Sequence, residues 1–92
     1  MNAALRQQLA EAAQNIEMRE TLTYLYRDQP QGASFESLQE TLFLHNGVDE
    51  PRMQELVGQK ILAFDGTRYK ISAEARQILD RDPVILLDDF LK

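Results

Sequence analysis

The sequence predicts a mainly α fold with a small β-hairpin, an α+β arrangement of short helices around two strands. Three observations carry this. Apolar residues recur at helical spacing along most of the chain, as in Leu5, Leu9, Ala12 and Ile16. The stretch ILAFDGTRYKIS, residues 61–72, instead holds two short strand patterns around an Asp-Gly pair. Ser34, Asp49 and Ser72 each place a capping side chain just before a helical pattern. Two strands alone are marginally stable in water, so helices must cover the hairpin. At 92 residues the chain is one domain by size. It divides into a helical extension over 1–17, a core over 18–80 and an apolar helix over 82–92.

The first segment, about 3–17, carries Leu5, Leu9, Ala12, Ala13 and Ile16 between Arg, Gln and Glu. A second stripe follows, with Met18, Leu22, Leu25 and Tyr26. At about 100° per residue the two stripes point more than roughly 90° apart. A bend or break near Glu17 to Glu20 resolves the conflict, with the second half in the core and the first half packed on something else. Tyr24 and Tyr26 flank Leu25, so at least one belongs near the surface, as a half-buried tyrosine with a wet hydroxyl or as a partner contact. DQPQGAS, residues 28–34, is loop chemistry.

Ser34 caps SFESLQETLF, whose inward stripe is Phe35, Leu38 and Leu42. Phe43 and Leu44 are adjacent and do not both face one core, and Gly47 in HNG suits a left-handed helix end. Asp49 then caps a helix over about 50–60. Pro51 lies in its first turn, Val48 and Met53 have staple spacing, and Met53, Leu56 and Val57 point inward. Ile61 to Phe64 is a strand, Asp65-Gly66 suits a two-residue type I′ turn, and Thr67 to Ile71 returns. Tyr69 and Ile71 take one face of the return strand, Arg68 and Lys70 the other. Ser72 caps AEARQILDR, with Ala75, Ile78 and Leu79 inward, and Asp82-Pro83 opens the apolar tail VILLDDFLK.

Composition narrows the function. The chain has no cysteine, so disulfides and thiolate metal sites are excluded. His45 is the lone histidine and by itself makes neither a triad nor a metal site; it reads as a loop residue. There is no glycine-rich phosphate loop, and the adjacent Asp88 and Asp89 diverge on a helix. An enzyme is not expected, nor a cofactor or metal. MNAALRQQLAEAAQ lacks a signal-peptide core and no run suits a membrane span, so the expected location is the cytoplasm.

The net charge is −5, the wrong sign for a generic nucleic-acid binder. The excess acid lies outside residues 49–72, where Asp49, Glu50, Glu55 and Asp65 balance Arg52, Lys60, Arg68 and Lys70.

The paired SFESLQETL and DEPRMQELVGQ, followed by KILAFDGTRYKISAEARQIL, resemble the winged helix-turn-helix domains of bacterial regulators. The resemblance covers about 18–80. Many such regulators have a glycine just before the arginine of the last helix, where Ala75 stands here. The resemblance implies that the Asp49 to Lys60 helix enters a DNA major groove. Its outward residues would then be Arg52, Gln54, Glu55, Gly58 and Gln59. Arg can pair with guanine, Gln with adenine, and Glu can accept from cytosine. Lys60, Arg68 and Lys70 would touch the phosphate backbone. Against this, Glu55, Glu50 and Asp49 oppose phosphate and Asp65 opposes it at the wing tip. The rival reading is a solvated helix face of mixed charge.

The ends supply a second feature. Leu5, Leu9, Ala12 and Ile16 form a narrow stripe, and Ile85, Leu86, Phe90 and Leu91 belong to a tail with much apolar surface. The two segments either pack on each other within one chain or build a two-fold homodimer. Two functions follow: a dimeric DNA-binding transcriptional regulator, or a protein-interaction module that binds no DNA and docks into a larger assembly.

Overall fold

The computed structural model describes residues 3–42 and 49–86. Five α-helices and one antiparallel hairpin are found among them: α1 (Ala3–Ala12), α2 (Ile16–Thr23), α3 (Phe35–Leu42), α4 (Glu50–Gly58), β1 (Leu62–Phe64), β2 (Tyr69–Ile71) and α5 (Ala73–Arg81). A π turn over Tyr24–Asp28 continues α2, and a 3-10 turn over Pro83–Leu86 follows α5. The mainly helical α+β arrangement expected from the periodicities is therefore present. No helix among the described residues is long and apolar enough to cross a membrane.

The break between the two N-terminal stripes comes earlier than Glu17 to Glu20. Helix α1 stops at Ala12, and the Asn15 side chain accepts from the Met18 amide to start α2. Asparagine competes well for this position because its short amide reaches a backbone N–H that the helix leaves unbonded. The chain turns there and brings both stripes onto one core. Leu5, Leu9, Met18, Leu22 and Leu25 are all buried in it, beside Leu38, Met53, Leu56, Tyr69, Ile71 and Leu79. Thr21, also buried, satisfies its hydroxyl by donating to the Glu17 carbonyl at 2.9 Å.

Helix α1 packs on α5 and on the 3-10 turn. Arg6 bonds Asp82 across the same junction. The tail opened by Asp82-Pro83 begins as a 3-10 turn, with Ile85 and Leu86 half-buried against the core and Val84 exposed. The expectations placed on Phe43, Leu44, His45, Gly47 and Val48, and on Phe90 and Leu91, lie outside the described residues.

The strands pair Leu62 with Ile71, Ala63 with Lys70 and Phe64 with Tyr69. The turn differs from the type I′ expectation. That turn needs positive φ at two successive residues, and only Gly66 (φ 100°) has it. The Asp65 amide bonds the Arg68 carbonyl at 3.2 Å, so Gly66 and Thr67 are the central residues. Asp65 sets the shift, because its carboxylate accepts the Thr67 and Arg68 amides at 2.8 and 2.7 Å. On the other side of β2, Ala33 and Tyr69 exchange two backbone bonds of 2.9 and 2.8 Å, so the loop before α3 adds one bridging residue to the sheet.

Candidate functional site

Helix α4 begins where Asp49 accepts the Arg52 amide at 3.0 Å, with Pro51 in the first turn. It ends two residues before the expected boundary, at Gly58. The Ile61 amide then bonds the Leu56 carbonyl and the Lys60 amide bonds the Val57 carbonyl, both at 3.0 Å. This is a Schellman ending, and the residue that must turn left-handed is Lys60, at φ 67°. Glycine ordinarily fills such a position because a Cβ crowds the neighbouring carbonyl. Met53 and Leu56 are fully buried beneath α4, as their spacing predicts.

The outward residues are already committed in part. The Arg52 guanidinium meets Glu55 at 2.5 Å, with both side chains partly exposed. An exposed pair of this kind stabilises little, about 0–1 kcal/mol, but it places a carboxylate on the cation that would address guanine or phosphate. Gln54 donates to the Tyr69 hydroxyl at 2.6 Å. Burial raises the Tyr69 phenol above its ordinary value; the Gln54 hydrogen bond works against that rise, and the nearby Glu50 carboxylate adds to it. The one arginine of α4 is thus already paired to Glu55, and Asp49 and Glu50 add two further carboxylates at the start of the helix.

The cations of the hairpin stand elsewhere. Tyr69 and Ile71 are buried on the face turned to the core, while Lys70 and Arg68 are exposed on the alternate positions. A Cβ placed on Gly32 would lie 3.3 Å from the Cβ atoms of both Arg68 and Lys70, so these cations flank the loop before α3. An open groove of about 450 Å³ runs there, with Arg68, Gln31, Ser34 and Ser37 among its walls. Asp65 is held below the usual carboxylate range, first by the Arg68 and Thr67 amides and further by the Arg68 charge. Lys60 and Lys70 have no side-chain partner among the described residues. Of the expected DNA-facing set, Arg52, Gln54 and Glu55 therefore lie on α4, with Gln59 at its C-cap and Lys60 just past its end. Arg68 and Lys70 project from the strand face opposite the one that bears Tyr69.

Helix α1 meets the 3-10 turn Pro83–Leu86 within the chain. Leu5, Leu9 and Ala12 are buried within the chain. Ile16, at 63% exposed, is the open member of that stripe, because the turn at Asn15 carries it out of line. Ile85 and Leu86 are half-buried on the same core.

Tyr24 and Tyr26 are both half-buried, and Tyr26 bonds Asp80 while Arg76 lies 4.8 Å over its ring. The Asp80 hydrogen bond is the main cause that raises the Tyr26 phenol. Among the described residues no His, Asp and Glu side chains gather as a metal-binding group. Sequence reasoning missed the Gln54–Tyr69 bond and the ring stacking of Phe64 on Tyr69. The usable signal was that a strand tyrosine predicted to be buried must find a hydroxyl partner. The chain matches no family model, no curated protein and no solved structure in the comparisons with each.

Proposed function

We propose that the chain is a winged-helix domain that acts as a protein-interaction module and does not read DNA with α4. The fold assignment is supported by the succession of α3, α4 and a hairpin that packs directly on α4, with Ala33 adding a bridge to β2. One observation carries the functional reading: the single arginine on α4 is paired to Glu55 on the same helix, beside Asp49 and Glu50. DNA affinity depends on lysine and arginine displacing counterions from phosphate, and an acidic helix face opposes it.

The test is binding to a labelled random-sequence duplex at low salt, followed by a salt titration, with the mass in solution measured on the same sample. The expected result is no binding up to about 100 μM, the weak end of ordinary non-specific DNA affinity. Micromolar binding that weakens as salt rises overturns the reading.

The second reading, a DNA-binding regulator acting as a dimer, is favoured by the exposed Lys60, Arg68 and Lys70. If it holds, replacing Arg68 and Lys70 with Ala abolishes duplex binding.

A further inference from the structure

Phe64 is 36% exposed at the end of β1. One face of its ring stacks on Tyr69, with centroids 4.4 Å apart and planes 25° from parallel, so its exposed surface lies away from that contact. Tyr69 in turn ties the ring pair to α4, through the hydrogen bond from Gln54 and the adjacent Glu50. Glu50 and Gln54 are four residues apart and share one side of the helix. Gly58 continues that row, and a Cβ there would meet nothing within 4 Å, so the row ends in open space. Asp65 follows Phe64 directly and is exposed, with the Arg68 charge near its carboxylate, so Glu50 is the acid on which the surface chiefly depends.

We propose that this surface, the outer side of Phe64 with Glu50 and Gln54 beside it and Asp65 at the rim, docks a basic segment of a partner protein, with an arginine or lysine laid on the Phe64 ring. The proposal rests on the reading of the chain as an interaction module and names the chemistry of its partner. An aromatic ring attracts a cation to its face, and arginine does so best because its planar guanidinium stacks. A carboxylate next to the ring adds attraction of the same sign. Glu50 interacts with the Tyr69 hydroxyl and forms no ion pair among the described residues, so its charge is not neutralised there. Nucleic-acid bases also stack on aromatic rings, but the phosphates that accompany them would face Glu50 and Asp65. Charge therefore selects the basic polypeptide.

The test titrates the ¹⁵N-labelled full chain with acetylated, amidated hexa-arginine at low salt and follows amide shifts. Shifts concentrated at residues 50, 54, 64 and 65 are expected. Phe64→Leu, which keeps an apolar cover on Tyr69, and Glu50→Gln should each weaken binding roughly 3–10-fold. Glu40→Gln on α3 should leave it unchanged. Circular dichroism shows that each variant is folded.

The proposal is overturned if the shifts spread evenly over the carboxylates of α1, α3 and α5, or if Phe64→Leu and Glu50→Gln bind as the parent does. It is also overturned if oligothymidylate shifts the same amides, which would make the ring a base platform. Failure of both hexa-arginine and duplex DNA to bind removes this surface and leaves the interaction reading standing. Duplex binding through the amides of Arg52 and Gln59 removes that reading as well.

Discussion

Gly32→Ala should be among the more damaging single-methyl changes in this domain. Gly32 sits at φ 104°, a conformation that L side chains rarely adopt. A Cβ there would lie 3.0 Å from the Tyr69 carbonyl oxygen, the same oxygen that accepts the Ala33 amide. The methyl would therefore press on the acceptor of the bridge that ties the loop to β2. Gly66 is the internal control, because its φ of 100° is nearly the same and a Cβ would meet nothing within 4 Å.

Backbone strain at such a φ costs on the order of 1–3 kcal/mol, and alanine recovers about 0.4–1 kcal/mol by restricting the unfolded chain. Gly66→Ala should thus lose about 1–2 kcal/mol. Gly32→Ala should lose that and much of the two bridge bonds, each worth about 0.5–1.5 kcal/mol net, for a total of about 2–4 kcal/mol. Urea unfolding followed by circular dichroism measures both. With a slope of about 2 kcal/mol per molar, the middle of the usual range, the Gly32→Ala midpoint should fall by about 1–2 M. Equal losses at the two glycines would refute the reasoning, since strain alone would then account for Gly32. The Ala33 amide should also exchange faster with solvent in Gly32→Ala and not in Gly66→Ala.

Leu9→Ala should cost about 2–5 kcal/mol, the range for a fully buried leucine. Its melting temperature should not depend on protein concentration, whereas a residue that stabilised through a dimer would show such dependence. Lys60→Gly should stabilise by about 0.5–1 kcal/mol, because it removes a Cβ from a left-handed position at the cost of a more flexible unfolded chain; a loss on thermal unfolding would contradict the Schellman ending. Tyr69 and Tyr26 both have raised phenol values, so the folded state holds these protons more firmly than the unfolded chain does. Their stabilisation is fully present below the ordinary phenol value of about 10. It is lost as pH rises through the folded values. Stability should fall above about pH 10, and less steeply in Tyr69→Phe; an unchanged slope in that variant would remove Tyr69 as a cause.

Most elements were legible because their signals are local. Ser72 before Ala73 and Asp49 before Glu50 are capping side chains, and each accepts the expected amide. The hairpin was legible from strand alternation, since a period of two places Tyr69 and Ile71 together whatever surrounds them. The turn was misplaced by one residue because Asp65 has two competing uses. Its side chain can sit within a type I′ turn or accept the amides two and three residues on, and here the second wins. The role of the N-terminal stripe was not legible, because an apolar face carries no mark of whether its cover lies in the same chain. Asn15 decided that by turning the chain, and a capping asparagine between two out-of-phase stripes was the available clue.

The candidate site shows why outward residue types are a weaker guide than their neighbours. Arg52, Gln54 and Glu55 are each suited to a base edge when considered singly. Folding puts Glu55 within reach of Arg52, three residues apart on one helix, and brings the buried Tyr69 hydroxyl to Gln54. Tyr69 lies 15 residues beyond Gln54, on the return strand, so no local pattern connects them. A hydroxyl at the edge of a core must be bonded, and Gln54 answers that need before it can serve a ligand. The same tyrosine supports Phe64 from beneath and, with Gln54 and Glu50, sets an aromatic face among acids. One buried side chain therefore engages Gln54 on the outward side of α4 and supports the Phe64 ring on which the proposed cationic partner would lie.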